Sequence, residues 1–378
     1  MNSKIPVISF FTGGGFLDMG FEQVGFKTVF TNEYDPDFVK LYEEGMTSWA
    51  LNEKIKRQYK IASTESITNL SPSKIESLAF IKGKPKIWGI IGGPPCQDFS
   101  LNGTKNGFDG ERGKMTMVFF NRIKKMQPAF FVMENVVGML RKKDTKETVA
   151  RIIANNCSND YYIGKNILNA LDYGVPQNRE RVFIVGFNKN VFKLNHLINS
   201  SNEIYNLDFP LVAQKYPNAK KKYNWPKQNK FGETPVLDEL IPIELTVANC
   251  LVTKEDKNNR LANIDEYFPL RRNADEKKKI NEGDTNRPSF KRLHRYRYSP
   301  TTCYGNNEVH LHPYENRRIS VREALRIQGV PDAYRFTKDI SLTKKFKLIG
   351  NGVPVPLARV VAESVLNIVS DINNFITE

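Results

Sequence analysis

The stretch IPVISFFTGGG, residues 5–15, sets the fold of this chain. Its apolar first half predicts a buried strand over residues 5–11, and its glycines predict a tight turn into a helix over residues 17–24. The same alternation continues to residue 187. Strands are predicted at 28–31, 86–91, 129–133 and 181–187, and helices at 36–44, 115–126 and 145–155. Strands that alternate with helices favour an α/β fold with a parallel sheet covered on both faces, and ligands bind at the carboxyl ends of such strands.

The net charge of the chain points to a polyanionic partner. The 378 residues include 56 Lys and Arg against 41 Asp and Glu, which gives a formal net charge of +15. Such an excess fits nucleic acid or an anionic membrane. The apolar runs are shorter than the ~18 residues of a membrane span, so we expect no membrane partner. The length allows two or three domains of about 100–200 residues each.

The cysteines predict neither a metal site nor a disulfide framework. Four are spread over the chain, at positions 96, 157, 250 and 303, and no two have the close spacing of zinc ligands. We therefore expect no bound metal and a reducing, cytoplasmic environment.

A change of composition at residue 188 predicts an insertion. Asn, Lys, Tyr and Pro dominate from there, and regular patterns return near residue 318, with helices predicted at 320–328 and 356–368. We expect a discontinuous large domain of residues 1–187 and 318–378. An inserted domain of residues 188–300 and a hinge of residues 301–317 would separate its two parts.

Two segments of the insert concentrate its positive charge. Residues 215–230 contain six Lys and no acid, and residues 287–298 contain five Lys and Arg and no acid. Both interleave aromatic residues, among them Trp225 and Tyr298. Basic groups neutralise phosphates and aromatic rings stack on bases, so both segments are candidate nucleic-acid contacts. Solvated loops are the alternative interpretation.

The glycine turn is a candidate cofactor site. Small residues there let backbone N–H groups approach a ligand closely. Glu33, at the end of the second predicted strand, can accept hydrogen bonds from ribose hydroxyls. Together they predict a nucleoside-bearing cofactor. A tight turn without a ligand is one alternative, and a nucleotide-binding oxidoreductase is another.

The segment GGPPCQDFS, residues 92–100, carries the candidate nucleophile. Cys96 follows two prolines at the end of a predicted strand, where a fixed thiol is well placed for covalent catalysis. The glycines at 103, 107, 110 and 113 are typical of a mobile lid. A lone cysteine is more often an inert core residue, so the assignment depends on the rest of the sequence.

Five segments, in order, resemble motifs of the bacterial restriction–modification type of DNA (cytosine-5) methyltransferase. GGPPCQDFS resembles the family's catalytic Pro-Cys loop, and FVMENV at 131–136 resembles its ENV motif. LNALDYGVPQNRER at 168–181 resembles its Gln-x-Arg-x-Arg motif. RRISVRE at 317–323 and IGNGVPVP at 349–356 resemble its last two motifs. The resemblance implies a Rossmann-like S-adenosylmethionine-dependent methyltransferase domain with a mostly parallel sheet, plus a small inserted target-recognition domain.

The resemblance also implies a covalent mechanism. Addition of the Cys96 thiolate to C6 of cytosine would activate C5 toward the methyl group of S-adenosylmethionine, and the base must first be flipped out of the duplex. Glu134 would contact N3 and the exocyclic amine. Arg181 would lie near O2 with Arg179 beside it, and their charge favours the thiolate.

Two further sets of residues follow from the resemblance and the basic segments. The implied cofactor residues are Phe11, Gly13, Gly15, Glu33, Tyr34, Ile67, Gly93, Pro95, Met115, Asn351 and Val353. Among them, Glu33 would bind the ribose, and the adenine would lie between Tyr34 and Ile67. The implied DNA contacts are Ser100, Asn102, Lys220, Lys221, Lys222, Arg292, Arg295 and Arg297.

Three positions depart from the family pattern. Phe16 stands where the glycine-rich turn usually has Gly, Ser66 replaces the carboxylate usually found before Ile67, and Ser9 replaces a common strand-end Asp. A Cβ at position 16 restricts the backbone. Ser66 would bind the adenine amino group more weakly than a carboxylate. These departures concern cofactor affinity rather than the chemistry.

Two alternatives keep the same fold, namely an RNA cytosine-5 methyltransferase and a catalytically silent DNA-binding module. Ser100 and the size of the insert favour duplex DNA, and the intact catalytic residues favour an enzyme. Thr246-Val247 is a candidate recognition element. We further expect a monomer in the bacterial cytoplasm or associated with the nucleoid, linked functionally to a cognate restriction endonuclease.

Overall fold

The computed structural model describes residues 4–55, 57–95, 113–141, 143–198, 204–210, 212–270, 274–302, 304, 308–371 and 374–375. These residues contain a six-stranded sheet, with strands β1 (Ile5–Phe10), β2 (Phe26–Asn32), β3 (Gly89–Gly92), β4 (Phe130–Val136), β5 (Tyr161–Asn169) and β6 (Glu180–Asn188). The order across the sheet is β2-β1-β3-β4-β6-β5. The pairs among β1 to β4 are parallel, whereas β6 runs antiparallel to both β4 and β5. The mostly parallel sheet is thus confirmed.

Helices cover both faces of this sheet, and further helices lie in the insert and near the C-terminal end of the described residues. They are α1 (Phe16–Val24), α2 (Pro36–Asn52), α3 (Pro72–Ala79), α4 (Gly113–Met126), α5 (Gly138–Arg141), α6 (Lys143–Asn156), α7 (Ala219–Lys222), α8 (Lys254–Asn258), α9 (Ala274–Lys277), α10 (Val321–Ile327), α11 (Leu342–Asn351) and α12 (Val355–Ser370).

Successive residues of each strand supply two different cores. Val7 packs with α1 and α12 on one face, whereas Ile8 packs with α3, α4 and α6 on the other. This alternation follows from the two-residue period of a strand. Because both faces are covered, β1, β3, the first half of β4 and the middle of β6 are nearly continuous apolar runs rather than alternating with polar residues.

A third core joins the insert to the large domain. It contains residues of α2, α10 and α11 together with Val247, Cys250 and Leu293 of the insert. Thr302 and His312, in the segment predicted as a hinge, are fully buried. The division into a large domain, an inserted domain and a hinge stays a prediction, and the packing between its parts is continuous.

The insert first runs along the outer edge of the sheet. After β6, Leu207 N donates to Ile163 O (3.1 Å) and Asn166 Nδ2 donates to Phe209 O (2.7 Å), so this segment lies beside the edge strand β5. Covering an edge strand in this way blocks pairing with other chains.

Both ends of the basic part of the insert attach to one turn, residues 170–178. Tyr216 N donates to Asp172 O (2.9 Å) where the chain leaves the sheet, and Ser299 N donates to Pro176 O (2.8 Å) where it returns. A 3₁₀ helix, Ala170–Tyr173, begins this turn, and Asn169 caps it through Leu171 N.

One stretch, Leu342–Ser370, is long and apolar enough to cross a membrane by composition, although 67% of its apolar window is buried inside the protein. It corresponds to α11 and α12. Helix α12 packs with α1 against the sheet, and a core helix of this kind needs an apolar surface on most of its sides.

Candidate active site

A cavity of about 1510 Å³ opens at the edge of the sheet where β1 to β4 end and β6 begins. One wall comes from the loops that follow β1 and β2 and from the end of α11. The opposite wall comes from the end of β4, the start of β6 and the side chain of Lys220. This is the carboxyl edge at which the sequence predicts a ligand.

The loop after β1 has the backbone conformation of a ligand-binding turn. Phe11, Gly13 and Gly15 have φ angles of 56°, 56° and 75°, and Gly15 N donates to Thr12 O at 3.0 Å. A Cβ on Gly13 would meet no atom within 4 Å, because this residue faces the open cavity. Phe11 also lines the cavity. Gly15 packs behind it, where a Cβ would come within 2.6 Å of Tyr42.

Glu33 joins the loops that follow β1 and β2. Its Oε2 accepts a hydrogen bond from Gly13 N (2.8 Å), and its Oε1 accepts one from Asp35 N (2.9 Å). Burial raises the pKa of this carboxyl, and the backbone N–H groups oppose the shift. Each carboxylate oxygen has a second lone pair, so Glu33 can still accept hydrogen bonds from a molecule in the cavity.

The remaining predicted cofactor residues surround the same space. Tyr34 is 73% exposed and Ile67 is 3% exposed, and both line the cavity. Arg122 fixes the position of Ile67 by donating from Nη2 to its carbonyl at 2.9 Å. The other predicted cofactor residues that line the cavity are Gly93, Pro95, Met115, Asn351 and Val353.

Two of the three departures from the family pattern have a packing explanation. The Phe16 ring lies edge-on to Tyr334, with centroids 5.5 Å apart, and a Cβ on Gly352 would come within 2.3 Å of it. Phe16 thus fills space that Gly352 leaves open. Ser9 Oγ donates to Asp18 Oδ1 at 2.6 Å. Ser66 lines the cavity, as its predicted adenine contact requires.

Glu134 and Arg181 form a buried ion pair on the opposite wall. Arg181 Nε lies 3.0 Å from Glu134 Oε1, and each side chain is 9% exposed. The antiparallel direction of β6 explains the contact, because Arg181 begins β6 opposite Val136, at the end of β4. Burial raises the pKa of Glu134, whereas the charges of Arg181 and Arg179 lower it.

The backbone before the predicted nucleophile lies against Glu134. Asn135 Nδ2 donates to Pro94 O at 3.2 Å, and a Cβ on Gly93 would come within 2.9 Å of Glu134 Oε2. Pro95 is the last described residue of this loop. Cys96, Ser100 and Asn102 lie outside the described residues.

Arg179 is fully buried and contacts the backbone behind the cavity. Its Nη2 donates to Gly350 O (2.8 Å) and to Gly352 O (2.9 Å). Arg179 therefore lies close to Glu134 and Arg181, as predicted, but it is not among the residues that line the cavity.

The site's geometry agrees with the comparison of this chain with known proteins. Residues 5–367 match the protein family described as C-5 cytosine-specific DNA methylase. The chain belongs to the C-5 cytosine-specific DNA methylase family. It is a DNA (cytosine-5) methyltransferase, as the five motifs predict, and members of this family use S-adenosylmethionine as methyl donor.

Relatives of this DNA methylase match over nearly its whole length. It is 38% identical to the Type II methyltransferase M.NmeDI of Neisseria meningitidis serogroup C, over 95% of this chain and 83% of the relative. It is 32% identical to M.FnuDI of Fusobacterium nucleatum, over 97% and 96% of the two chains. A crystal structure of a putative DNA modification methyltransferase from an Escherichia coli prophage has the same fold. Its TM-score is 0.65 at 23% identity, over 97% of this chain and 100% of that one.

The cavity of this DNA methylase fits the methyl donor. An open turn with positive φ at Gly13, the Glu33 carboxylate with free lone pairs, and Tyr34 and Ile67 on the cavity lining match the amino acid, ribose and adenine parts of S-adenosylmethionine. The cavity, at about 1510 Å³, is larger than the ~300–1,000 Å³ of usual ligand pockets.

The predicted DNA contacts of the methylase differ in their surroundings. Lys220, Lys221 and Lys222 form the exposed helix α7, and Lys220 also lines the cavity. Arg297 is half-buried, with its guanidinium 5.2 Å from the centroid of the Tyr298 ring. Contact of these four residues with DNA, which the sequence predicts, remains a proposal.

Arg292 and Arg295 are committed to contacts within the protein. Arg292 is fully buried and donates to the carbonyls of Lys277, Ile280, His312 and Glu315. Arg295 forms a salt bridge with the buried Glu282 at 2.7 Å. Their guanidinium groups stabilise the insert, and we therefore remove both from the proposed DNA contacts.

The aromatic residues of the two basic segments pack against each other. Trp225 lies 4.9 Å from Tyr298 and 5.6 Å from Tyr223, measured between ring centroids. With Leu171 and Leu245 they belong to a small apolar cluster. The interleaved aromatics thus join the two basic segments into one surface. Because these rings pack against each other, we no longer expect them to stack on bases.

Sequence reasoning missed Asp18, a fully buried carboxyl that lines the cavity. Its Oδ1 accepts the hydrogen bond from Ser9, and its Oδ2 has no hydrogen-bond partner among the described residues. Burial raises the pKa of Asp18 to about 7. The available signal is a polar pair, Ser9 in an otherwise apolar strand and Asp18 among the apolar residues that begin α1.

Proposed function

We propose that the enzyme transfers a methyl group from S-adenosylmethionine to C5 of a flipped-out cytosine in a specific duplex DNA sequence. A covalent bond between Cys96 Sγ and C6 would form during the reaction. The observation that carries this proposal is the buried Glu134–Arg181 pair. It shares one cavity with the Glu33 turn, and Pro95, the residue before Cys96 in the chain, lies at the same wall.

The cofactor would bind along the wall formed by the glycine turn. Glu33 would accept hydrogen bonds from the ribose hydroxyls, and Tyr34 and Ile67 would enclose the adenine. Backbone groups from Phe11 to Gly13 would bind the amino acid end. When bound, the cofactor supplies an electrophilic methyl group on a sulfonium centre.

The base would bind on the opposite wall. Glu134 would hydrogen-bond N3 and the exocyclic amine of cytosine, and Arg181 would hold both the Glu134 carboxylate and the O2 atom. Because burial raises the pKa of Glu134, this side chain can hold a proton at N3 more readily than an exposed glutamate. Both groups are 9% exposed, so their charges are poorly screened by water.

The chemistry would proceed in two stages. The Cys96 thiolate adds to C6 while a proton from Glu134 moves toward N3, and the electron pair of the C5–C6 bond becomes available at C5. C5 then takes up the methyl group, and S-adenosylhomocysteine is the leaving group. A base removes the C5 proton, the C5–C6 double bond forms again, the thiolate leaves and N3 returns its proton to Glu134. A base stacked inside a duplex cannot reach both walls, so it must be flipped out.

The recognition surface would be the joined basic segments. Lys220, Lys221, Lys222 and Arg297 would contact phosphates. Thr246 and Val247, the recognition element that the sequence suggests, are fully buried, so their side chains cannot read base edges in the major groove. We further propose that the protein acts as a monomer in the bacterial cytoplasm and protects DNA from a cognate restriction endonuclease.

The test is transfer of a tritiated methyl group from S-adenosylmethionine to duplex DNA. We expect the wild-type protein to label DNA, and Cys96→Ser to lose labelling while it still binds DNA. A matched control is Cys157→Ser, since Cys157 is buried in the core far along the chain from the loop. Activity retained by Cys96→Ser would refute the covalent role, and labelling of transfer RNA but not duplex DNA would refute the substrate. Bisulfite sequencing of DNA from expressing cells would then identify the recognised sequence.

A further inference from the structure

Arg179 connects the two walls of the cavity without lining it. Its two hydrogen bonds to Gly350 O and Gly352 O hold the backbone on either side of Asn351, a residue of the cofactor wall. Two residues further along the chain, Arg181 forms the ion pair of the base wall. Arg179 therefore fixes the distance between a strand that carries the base site and a loop that carries the cofactor site.

A buried polar network surrounds Arg179. Thr302 Oγ1 accepts hydrogen bonds from Arg179 Nη1 (3.4 Å) and Gln328 Nε2 (3.0 Å), and Gln177 Oε1 accepts one from Thr302 N (3.2 Å). Gln328 Nε2 also donates to Ile349 O at 2.7 Å. All four polar side chains are fully buried. A displacement of the loop after α11 would break several of these bonds together, because buried polar groups need their partners.

We propose that Arg179 is a positioning residue that couples cofactor binding to the holding of the target cytosine. The inference rests on the proposed function, because it requires the cofactor to bind beside Asn351. The planar guanidinium donates to two carbonyls at once from one nitrogen, and a lysine at this position keeps the charge but not this fixed geometry. Arg179 therefore sets cofactor affinity through Asn351 and links it to the base site through Arg181.

The experiment compares Arg179→Lys with Arg181→Lys. Calorimetry without DNA should show that Arg179→Lys binds S-adenosylhomocysteine on the order of tenfold more weakly than wild type, because a hydrogen bond that orders the loop is lost. The increase in DNA affinity that S-adenosylhomocysteine causes should shrink by a similar factor, since coupling is reciprocal. Arg181→Lys should keep the wild-type affinity for S-adenosylhomocysteine and lose turnover.

A purely structural role for Arg179 predicts a different result. In that case Arg179→Lys would lower the thermal midpoint, but the folded protein would bind S-adenosylhomocysteine as wild type does, and this would overturn the proposal. The pH dependence of turnover provides a second readout. It should stay unchanged in Arg179→Lys, because the charge that acts on Glu134 is kept.

A third variant separates this inference from the proposed function. Glu33→Ala should weaken S-adenosylhomocysteine binding, and unchanged binding would refute the proposed cofactor site itself. Weakened binding in Glu33→Ala alone would overturn only the role of Arg179. If Arg179→Lys does not fold, hydrogen exchange of wild type decides the matter. S-adenosylhomocysteine should then slow exchange at residues 177–181 as well as at 349–353, and protection confined to the second segment would overturn the proposal.

Discussion

The replacement Asp18→Asn should remove a pH dependence of stability that this buried carboxyl imposes. Burial raises the pKa of Asp18 from 3.8 to about 7 in the folded protein, and the hydrogen bond from Ser9 offsets only part of the shift. A carboxyl whose pKa is raised by folding binds its proton more tightly in the folded state. Its contribution to stability is fully present below pH 3.8 and is lost as the pH rises through about 7.

The magnitude follows from the two pKa values. Relative to a fully protonated carboxyl, Asp18 destabilises the fold by about 2 kcal/mol at pH 5 and by roughly 4 kcal/mol at pH 8, at about 1.4 kcal/mol per pKa unit. An asparagine amide keeps the oxygen that accepts from Ser9 and does not titrate. The free energy of unfolding of Asp18→Asn relative to wild type should therefore rise by about 2–3 kcal/mol from pH 5 to pH 8.

Urea unfolding of both proteins at pH 5, 6, 7 and 8, without cofactor, measures this difference. The control is Asp35→Asn, because Lys344 lowers the pKa of Asp35 and its carboxylate stays ionised throughout this range. The difference between that variant and wild type should be constant from pH 5 to pH 8. Parallel curves for wild type and Asp18→Asn would refute the reasoning, since the carboxyl would then be ionised in the folded protein.

Three more outcomes follow from the site and the insert. Glu134→Gln should reduce turnover by about 10²–10⁴-fold while binding S-adenosylhomocysteine as wild type does; a loss of that binding would contradict the two-wall arrangement. Gly352→Ala should lower the free energy of unfolding by about 1–3 kcal/mol, because its Cβ meets the Phe16 ring, and adding Phe16→Leu should restore most of it; additive losses would argue against the contact. Arg292→Ala should destabilise the protein in urea yet keep the salt dependence of DNA binding, whereas Lys222→Ala should keep stability and reduce the log–log salt slope by ~0.9; the reverse pattern would return Arg292 to the DNA surface.

Local patterns predicted that the Gly13 turn and Glu33 lie together at one edge of the sheet. The Gly13 turn and Glu33 each depend on a few neighbouring residues, and a parallel sheet brings the ends of β1 and β2 to one edge. The contact between Glu134 and Arg181 depends instead on the direction of β6. An apolar run such as residues 181–187 predicts a strand but not the direction in which it runs.

Other features depend on tertiary packing and left no local signal. Strand β5 was not predicted, because Gly164, Lys165 and Asn166 interrupt its apolar pattern at the edge of the sheet. Helices α3 and α11 were not predicted either. Arg292 looks in the sequence like its half-buried basic neighbours, and its burial depends on carbonyls from two separate segments, at 277–280 and 312–315. A charge run therefore identifies a basic segment but not which of its members are buried in contacts within the protein.

The attachment of both ends of the proposed recognition region to the turn at 170–178 has an evolutionary consequence. Because Tyr216 and Ser299 are anchored within a few residues of each other, the chain between them can lengthen, shorten or be exchanged while β6 and the catalytic edge stay where they are. Specificity for a new DNA sequence could then arise by transplanting a cassette of residues 217–298. The shared core around Val247 marks the contacts that a transplanted cassette would have to rebuild.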